Sequence, residues 1–264
     1  MKIGLIGAGN MANAIAFGVL KAEGTSADSI YVSDTSEAVL SAYKDAGMNT
    51  GCDNQYVADH SDILIFAIKP HLYAEVVRSL TIHNRDTVFV SIAPGISIAN
   101  MKEFLGFDAK VVRVMPNTPA KVLTGMTVLA YEEPCTKEDF ETVEGIFASV
   151  SRTQLIPENR MNEVISLTSS SPAYIYYFID LMAKKATEYG FSYDEAVLMA
   201  SQAVMGSAKM VLSGDLSPEV LKKNVCSKGG TTIAALEKLE DGRLASALSD
   251  AMDACTKRAY ELGK

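Results

Sequence analysis

Gly7-Ala8-Gly9-Asn10-Met11-Ala12 sets two glycines two residues apart and a small residue three further on. That pattern suits a diphosphate. The first glycine allows a tight turn, the second lets backbone approach the phosphates, and the small third residue lets strand and helix pack closely. A helix following the turn aims its free N–H groups and the positive end of its dipole at the anion. The alternative is a strand-to-helix turn that binds nothing. Ser33-Asp34 closes a second apolar run, where a carboxylate accepts hydrogen bonds from an adenosine ribose. Asp34 equally suits the N-cap of a helix starting near Glu37. Thr35 follows it where an arginine would hold a 2′-phosphate, so the sequence leans toward NADH and leaves NADPH open.

A second glycine loop, Val225-Cys226-Ser227-Lys228-Gly229-Gly230-Thr231-Thr232, crowds three hydroxyls and two glycines ahead of a helical run. Backbone N–H groups at a helix start, backed by hydroxyl donors, suit a small carboxylate. A plain helix cap needs only one such hydroxyl. Ser169-Ser170-Ser171-Pro172 is a weaker patch, at home in any interhelix turn.

The elements that must carry these loops alternate. Ile3–Ile6, Ile30–Ser33, Ile63–Ile68, Thr87–Ile92 and Val111–Met115 are short apolar runs rich in β-branched residues. Stretches of helical spacing such as Ala12–Lys21 and Glu37–Ala46 separate them. Gly125–Tyr131 and Thr153–Ile156 add further strands around a helix at Thr136–Ser149. The rhythm predicts an α/β fold, an N-terminal Rossmann-type doubly wound, mostly parallel sheet over residues 1–157. Residues 158–264 show no strand pattern and predict an all-helical C-terminal domain. Its helices are expected near Glu158–Ser170, Pro172–Tyr189, Asp194–Leu212, Pro218–Asn224, Thr232–Leu239 and Arg243–Leu262. Ser192 with Glu195 forms a capping-box pattern, and Gly190 and Gly214 stand where helices stop. Tyr174–Ile179 and Ala196–Met205 are apolar nearly all round, which predicts either a covering second subunit or a single central core helix.

The chain has 24 basic and 32 acidic residues, with the acidic excess in both halves, so no basic face is offered to nucleic acid or to a membrane surface. Val164–Ile179 is too short and too interrupted to span a bilayer. The N-terminus enters a strand pattern directly, and the cytoplasm is the expected compartment. Cysteines 52, 135, 226 and 255 form no C-x-x-C pair and are expected to be buried structural thiols. The three histidines match no metal spacing, so no metal is expected.

Taken together, Ile6–Met11, Ala67-Ile68-Lys69-Pro70, Asn117-Thr118-Pro119, Ser171–Tyr174 and above all Ser227–Thr232 give the whole chain a resemblance to the pyrroline-5-carboxylate reductases. Members reduce a cyclic imino acid to L-proline with NADPH or NADH, as dimers through the helical domain or as larger assemblies. The resemblance implies that Gly7, Gly9, Asn10 and Met11 cradle the pyrophosphate, that Ile6 before them belongs to the cofactor site, and that Ser33, Asp34 and Asn54 surround the adenosine ribose. It places Ala67, Lys69, Pro70, Ala93 and Pro94 along the path to the nicotinamide. It gives the substrate to Ser227, Gly229, Gly230 and Thr231, with the Thr232 hydroxyl against the ring nitrogen as the catalytic group. Lys228 stands where the family usually has proline. A hydroxyacid dehydrogenase of the same architecture, a reductase of another cyclic imine and a non-catalytic dinucleotide sensor remain as alternatives. The Ser227–Thr232 cluster argues against the sensor.

Overall fold

The computed structural model describes residues 1–21 and 25–263. Eight strands, β1 (Ile3–Ile6), β2 (Ile30–Ser33), β3 (Asn49–Gly51), β4 (Ile63–Phe66), β5 (Val88–Ser91), β6 (Val111–Met115), β7 (Gly125–Tyr131) and β8 (Ser151–Leu155), form one sheet. Their order is β3-β2-β1-β4-β5-β6-β7-β8, and only the β6–β7 pairing is antiparallel. Between them lie helices α1 (Asn10–Lys21), α2 (Glu37–Asp45), α3 (Asn54–Asp59), α4 (Tyr73–Ser79), α5 (Ile98–Leu105) and α6 (Lys137–Ala148). The sheet is the N-terminal Rossmann-type architecture that the alternating runs predict.

Continuous apolar strands are explained by burial on both faces. Ile3, Leu5, Val32, Ile63, Ile65 and Val90 face a cluster with Ile15 of α1, Tyr43 of α2 and Phe140 of α6. Their neighbours Ile6, Tyr31, Leu64, Phe66 and Phe89 face the other way, onto Val57 of α3, Tyr73 of α4 and Met101 of α5. One strand thus supplies both cores, because successive side chains alternate across the sheet.

The second half is helical: α7 (Ser171–Thr187), α8 (Tyr193–Leu212), α9 (Pro218–Asn224), α10 (Thr231–Asp241) and α11 (Leu244–Leu262). Ser192 and Glu195 make the expected capping box at α8, and Gly190 and Gly214 adopt left-handed conformations after α7 and α8. The stretch Glu158–Ser170 is not one α-helix. A 3-10 turn at Glu158–Arg160 is followed by a π-helical turn at Ile165–Ser169.

By compactness the chain separates at Pro172, with the chain from Ala254 onward rejoining the first unit. The reason lies in Arg113 on β6, which is 2% exposed. Its guanidinium donates to Glu158 at 2.8 Å and to Asn162 at 2.5 Å, tying residues 158–162 to the sheet. Met161 and Ile165 complete an apolar cluster there with Met115, Val128 and Ala259. In the second unit, Asp180 of α7 accepts hydrogen bonds from Tyr193 at the start of α8 and from Lys184. Apolar side chains of this unit stand exposed within the chain, Tyr177 at 66% and Leu198 at 71%. That differs from a single central core helix and leaves an apolar face of this unit exposed. The cysteines divide: Cys135 is buried, Cys52 is exposed, and Cys226 and Cys255 are half-buried, so Cys52 departs from the expected buried thiol. Among the described residues no helix is long and apolar enough to cross a membrane.

Candidate active site

The strand order reverses between β1 and β4, and such a switch point opens a crevice at the carboxyl ends of the strands. Gly7 leaves β1 there with φ of 97°, and a Cβ on it would meet the carbonyl oxygen of Ala67 at 2.6 Å. No other residue fits that turn without displacing backbone. Gly9 differs: a Cβ there would meet nothing within 4 Å. Protein packing does not demand the second glycine, and its bare face is what the approach of a diphosphate requires. α1 begins at Asn10, so its first N–H groups, which have no intrahelical acceptor, open beside this loop.

The peptide groups of Ala8 are held from both sides. Its N–H donates to Asp34 Oδ2 at 2.8 Å, and its carbonyl accepts from the Tyr43 hydroxyl at 3.0 Å. Burial pushes the Tyr43 phenol up to about 12, so it stays a donor. The other Asp34 oxygen accepts from Ser36 N at 3.0 Å. Asp34 is therefore not the N-cap of α2. Ser36 holds that position, and Asp34 braces the turn ahead of it. Ser33 is fully buried and donates to Asn54 Oδ1 at 2.7 Å, which fixes the first residue of α3 against the end of β2.

A cavity of about 490 Å³ lies over this loop. Of the residues singled out from the sequence, Ile6, Gly7, Gly9, Ser33, Asp34, Asn54, Ala67 and Lys69 line it. Asn10, Met11, Pro70, Ala93 and Pro94 do not. Asn10 is exposed at the helix start, Pro70 opens a 3-10 turn, and Ala93 is buried in the core beyond β5. Thr35 and Ile68, which stand inside the motifs that the sequence offers, also line it, and so do His71, Leu72 and Val76, which carry no local sequence signal. The volume falls in the range of cofactor clefts, and the bare Gly9, the α1 N-terminus and the acid at the end of β2 fit an adenine dinucleotide.

In the second unit, Gly230 N donates to the carbonyl of Ser227 at 2.9 Å and closes a turn with Gly229 at φ of 68°. Gly230 is the N-cap of α10 and gives no side-chain bond, so the hydroxyls of Ser227, Thr231 and Thr232 are not used for capping. Thr232, the second residue of α10, is half-buried, and Ser227 and Thr231 are exposed. Lys228 takes the second position of the turn, where proline is pre-organised, and is also exposed.

Sheet, glycine loop and acid define a Rossmann-type dinucleotide-binding oxidoreductase fold. Residues 158–262 match the family model for pyrroline-5-carboxylate reductase dimerisation, and residues 2–95 match that for coenzyme F420-dependent NADP oxidoreductase. The chain is 39% identical to a pyrroline-5-carboxylate reductase of Escherichia coli, covering 100% of this chain and 98% of the relative. It is 35% identical to one of Pasteurella multocida with the same coverage. A crystal structure of the Plasmodium falciparum pyrroline carboxylate reductase with NADP bound superposes with a TM-score of 0.92 at 27% identity, covering 100% and 98% of the two chains. The chain belongs to the pyrroline-5-carboxylate reductase family.

Proposed function

We propose that this protein reduces L-1-pyrroline-5-carboxylate to L-proline with NADPH or NADH, the last step of proline synthesis. One observation beyond family membership carries the reading: Ser227 in the turn before α10 and Thr231 and Thr232 in its first turn gather hydroxyls that the helix cap does not use. By function, residues 1–157 then form the dinucleotide-binding part and residues 158–264 the substrate-binding and dimerisation part, a division that falls ahead of the Pro172 at which the chain separates by compactness.

Bound reduced nicotinamide supplies a hydride to the imine carbon. The chain's own contribution is position, since aligned reactants account for much of such a rate. Gly7, Gly9, Asn10 and Met11 hold the diphosphate, while Ser33, Asp34 and Asn54 hold the adenosine ribose. Ile6 completes the cofactor site at the end of β1, and Ala67, Lys69, Pro70, Ala93 and Pro94 line the path toward the reacting end of the cofactor. Ser227, Gly229, Gly230 and Thr231 fix the substrate carboxylate, and with it the face of the ring that is reduced. The Thr232 hydroxyl hydrogen-bonds the ring nitrogen and relays a proton from water as the imine becomes an amine. The exposed aromatic and aliphatic side chains of α7 and α8 support a homodimer or higher homo-oligomer through the helical domain. The cytoplasm, with its pool of reduced nicotinamide, is the compartment this reading assigns, and no nucleic acid or membrane partner is needed.

The test is oxidation of NADPH and NADH by the purified protein with pyrroline-5-carboxylate, beside a panel of 2-oxo acids. Turnover of a 2-oxo acid with none of the cyclic imine would overturn it in favour of a hydroxyacid dehydrogenase.

A further inference from the structure

Lys121 lies far in sequence from the glycine loop, yet its ammonium donates to Asn10 Oδ1 at 2.8 Å. Asn10 is the residue whose backbone opens α1. The lysine side chain is exposed, but the backbone that carries it is anchored. It sits in a 3-10 segment, Thr118–Val122, whose Ala120 is buried against Ala14 of α1 and Val150, with Met11 packed beside them. Leu123 then closes the segment in the left-handed region at φ of 57°. A short, anchored backbone therefore delivers the cation to the first turn of α1. Among the described residues Lys121 has Asn10 as hydrogen-bond partner and no carboxylate.

The geometry points to Lys121 as a further ligand for the dinucleotide's diphosphate, reaching it from the start of α1, in addition to Lys69 in the cavity lining. The inference rests on the dinucleotide reading above. In the free protein the Asn10 amide oxygen holds the ammonium. In the complex, an anion placed on the α1 N-terminus lies within one side-chain swing of it, and a charge-assisted bond to phosphate is stronger than one to a neutral amide. Asn10 thus parks the cation beside the position where the negative charge arrives.

The experiment is equilibrium titration of NADH and NADPH by nucleotide fluorescence, with no substrate present, at low and at physiological salt. Lys121→Met keeps the aliphatic stem and removes the charge. We expect about threefold to tenfold weaker binding at low salt, by the same factor for both cofactors, and a shallower salt dependence. Lys121→Arg should restore most of the affinity. Equal affinity in wild type and Lys121→Met overturns the assignment. So does a loss confined to NADPH, which would place the lysine at the 2′-phosphate. Failure of the wild-type protein to bind either nucleotide would remove the dinucleotide reading itself, a result distinct from the other two.

Discussion

The carboxylate of Asp34, at the end of β2, accepts the N–H of Ala8 at 2.8 Å across 26 residues of sequence. One side chain therefore does two things at the mouth of the cavity: it shapes the glycine loop, and it sets a negative charge among the residues assigned to the ribose. Asp34→Asn removes the charge and weakens the loop bond. Loss of a hydrogen bond to a charged acceptor costs about 1.5–3 kcal/mol, so both cofactors should bind more weakly. NADPH should lose less, because like charge against its 2′-phosphate disappears with the carboxylate. The ratio of the NADPH and NADH specificity constants should rise. A flat ratio would mean that Asp34 serves the loop alone.

Tyr43 holds the peptide group on the other side of Ala8. Its folded pKa stands above that of the unfolded chain, so its contribution to stability is complete below pH 10 and is lost as the pH rises through about 12. The rise from the ordinary value of 10 to about 12 corresponds to about 3 kcal/mol. Denaturant midpoints measured up the alkaline range should therefore fall in wild type and fall less in Tyr43→Phe. Tyr73, fully buried with its hydroxyl on the Phe66 carbonyl, is also pushed up and keeps part of the alkaline limb in both proteins.

Thr232→Val preserves shape and removes the hydroxyl. Turnover should drop by about 10²-fold, within the range of general acid–base contributions, while cofactor affinity stays at the wild-type value. Helicity should not change, because Gly230, not Thr232, caps α10. Undiminished turnover would assign the proton relay to water alone.

Breaking the buried pair between Arg113 and Glu158 leaves a charge stranded in the core of the first unit. Glu158→Ala should cost about 3 kcal/mol by urea unfolding, at the low end for such pairs because Glu158 keeps 19% of its side chain exposed. Replacing both residues with apolar ones should recover much of the loss. A double variant no more stable than Glu158→Ala would argue that the guanidinium is needed for packing.

How far the sequence spoke depended on whether a feature is written locally. β1, β2, β4, β5 and β6 were legible because residues such as Leu64, Phe66 and Phe89 must be apolar on both faces of a covered sheet. β3 was not: Asn49–Gly51 is a three-residue edge strand with no apolar pattern. α3 and α4 run for six and seven residues, too short for a helical period to show. Glu158–Ser170 has the composition of a helix but not its geometry. Asn117 draws off the Thr168 carbonyl, and Ser169 reaches the carbonyl of Pro116, bonds to residues some fifty positions away. The same limit applies at the cavity. Gly7 and Gly9 announce themselves by spacing, whereas Tyr43 on Ala8 and Lys121 on Asn10 exist only once the chain has folded.

The first compact unit is discontinuous, since residues 173–253 intervene before the chain from Ala254 rejoins it. On a ribosome this has a cost in time. At about 5–20 residues per second, the intervening segment takes roughly 4–16 s to make. The sheet and its glycine loop are synthesised early and wait through that interval. Meanwhile Met115, Val128 and Ile165 lack Ala259, and Glu163 lacks the Tyr260 hydroxyl. A nascent chain of this protein thus carries a complete nucleotide loop beside an unfinished apolar cluster, which only the segment from Ala254 onward can close.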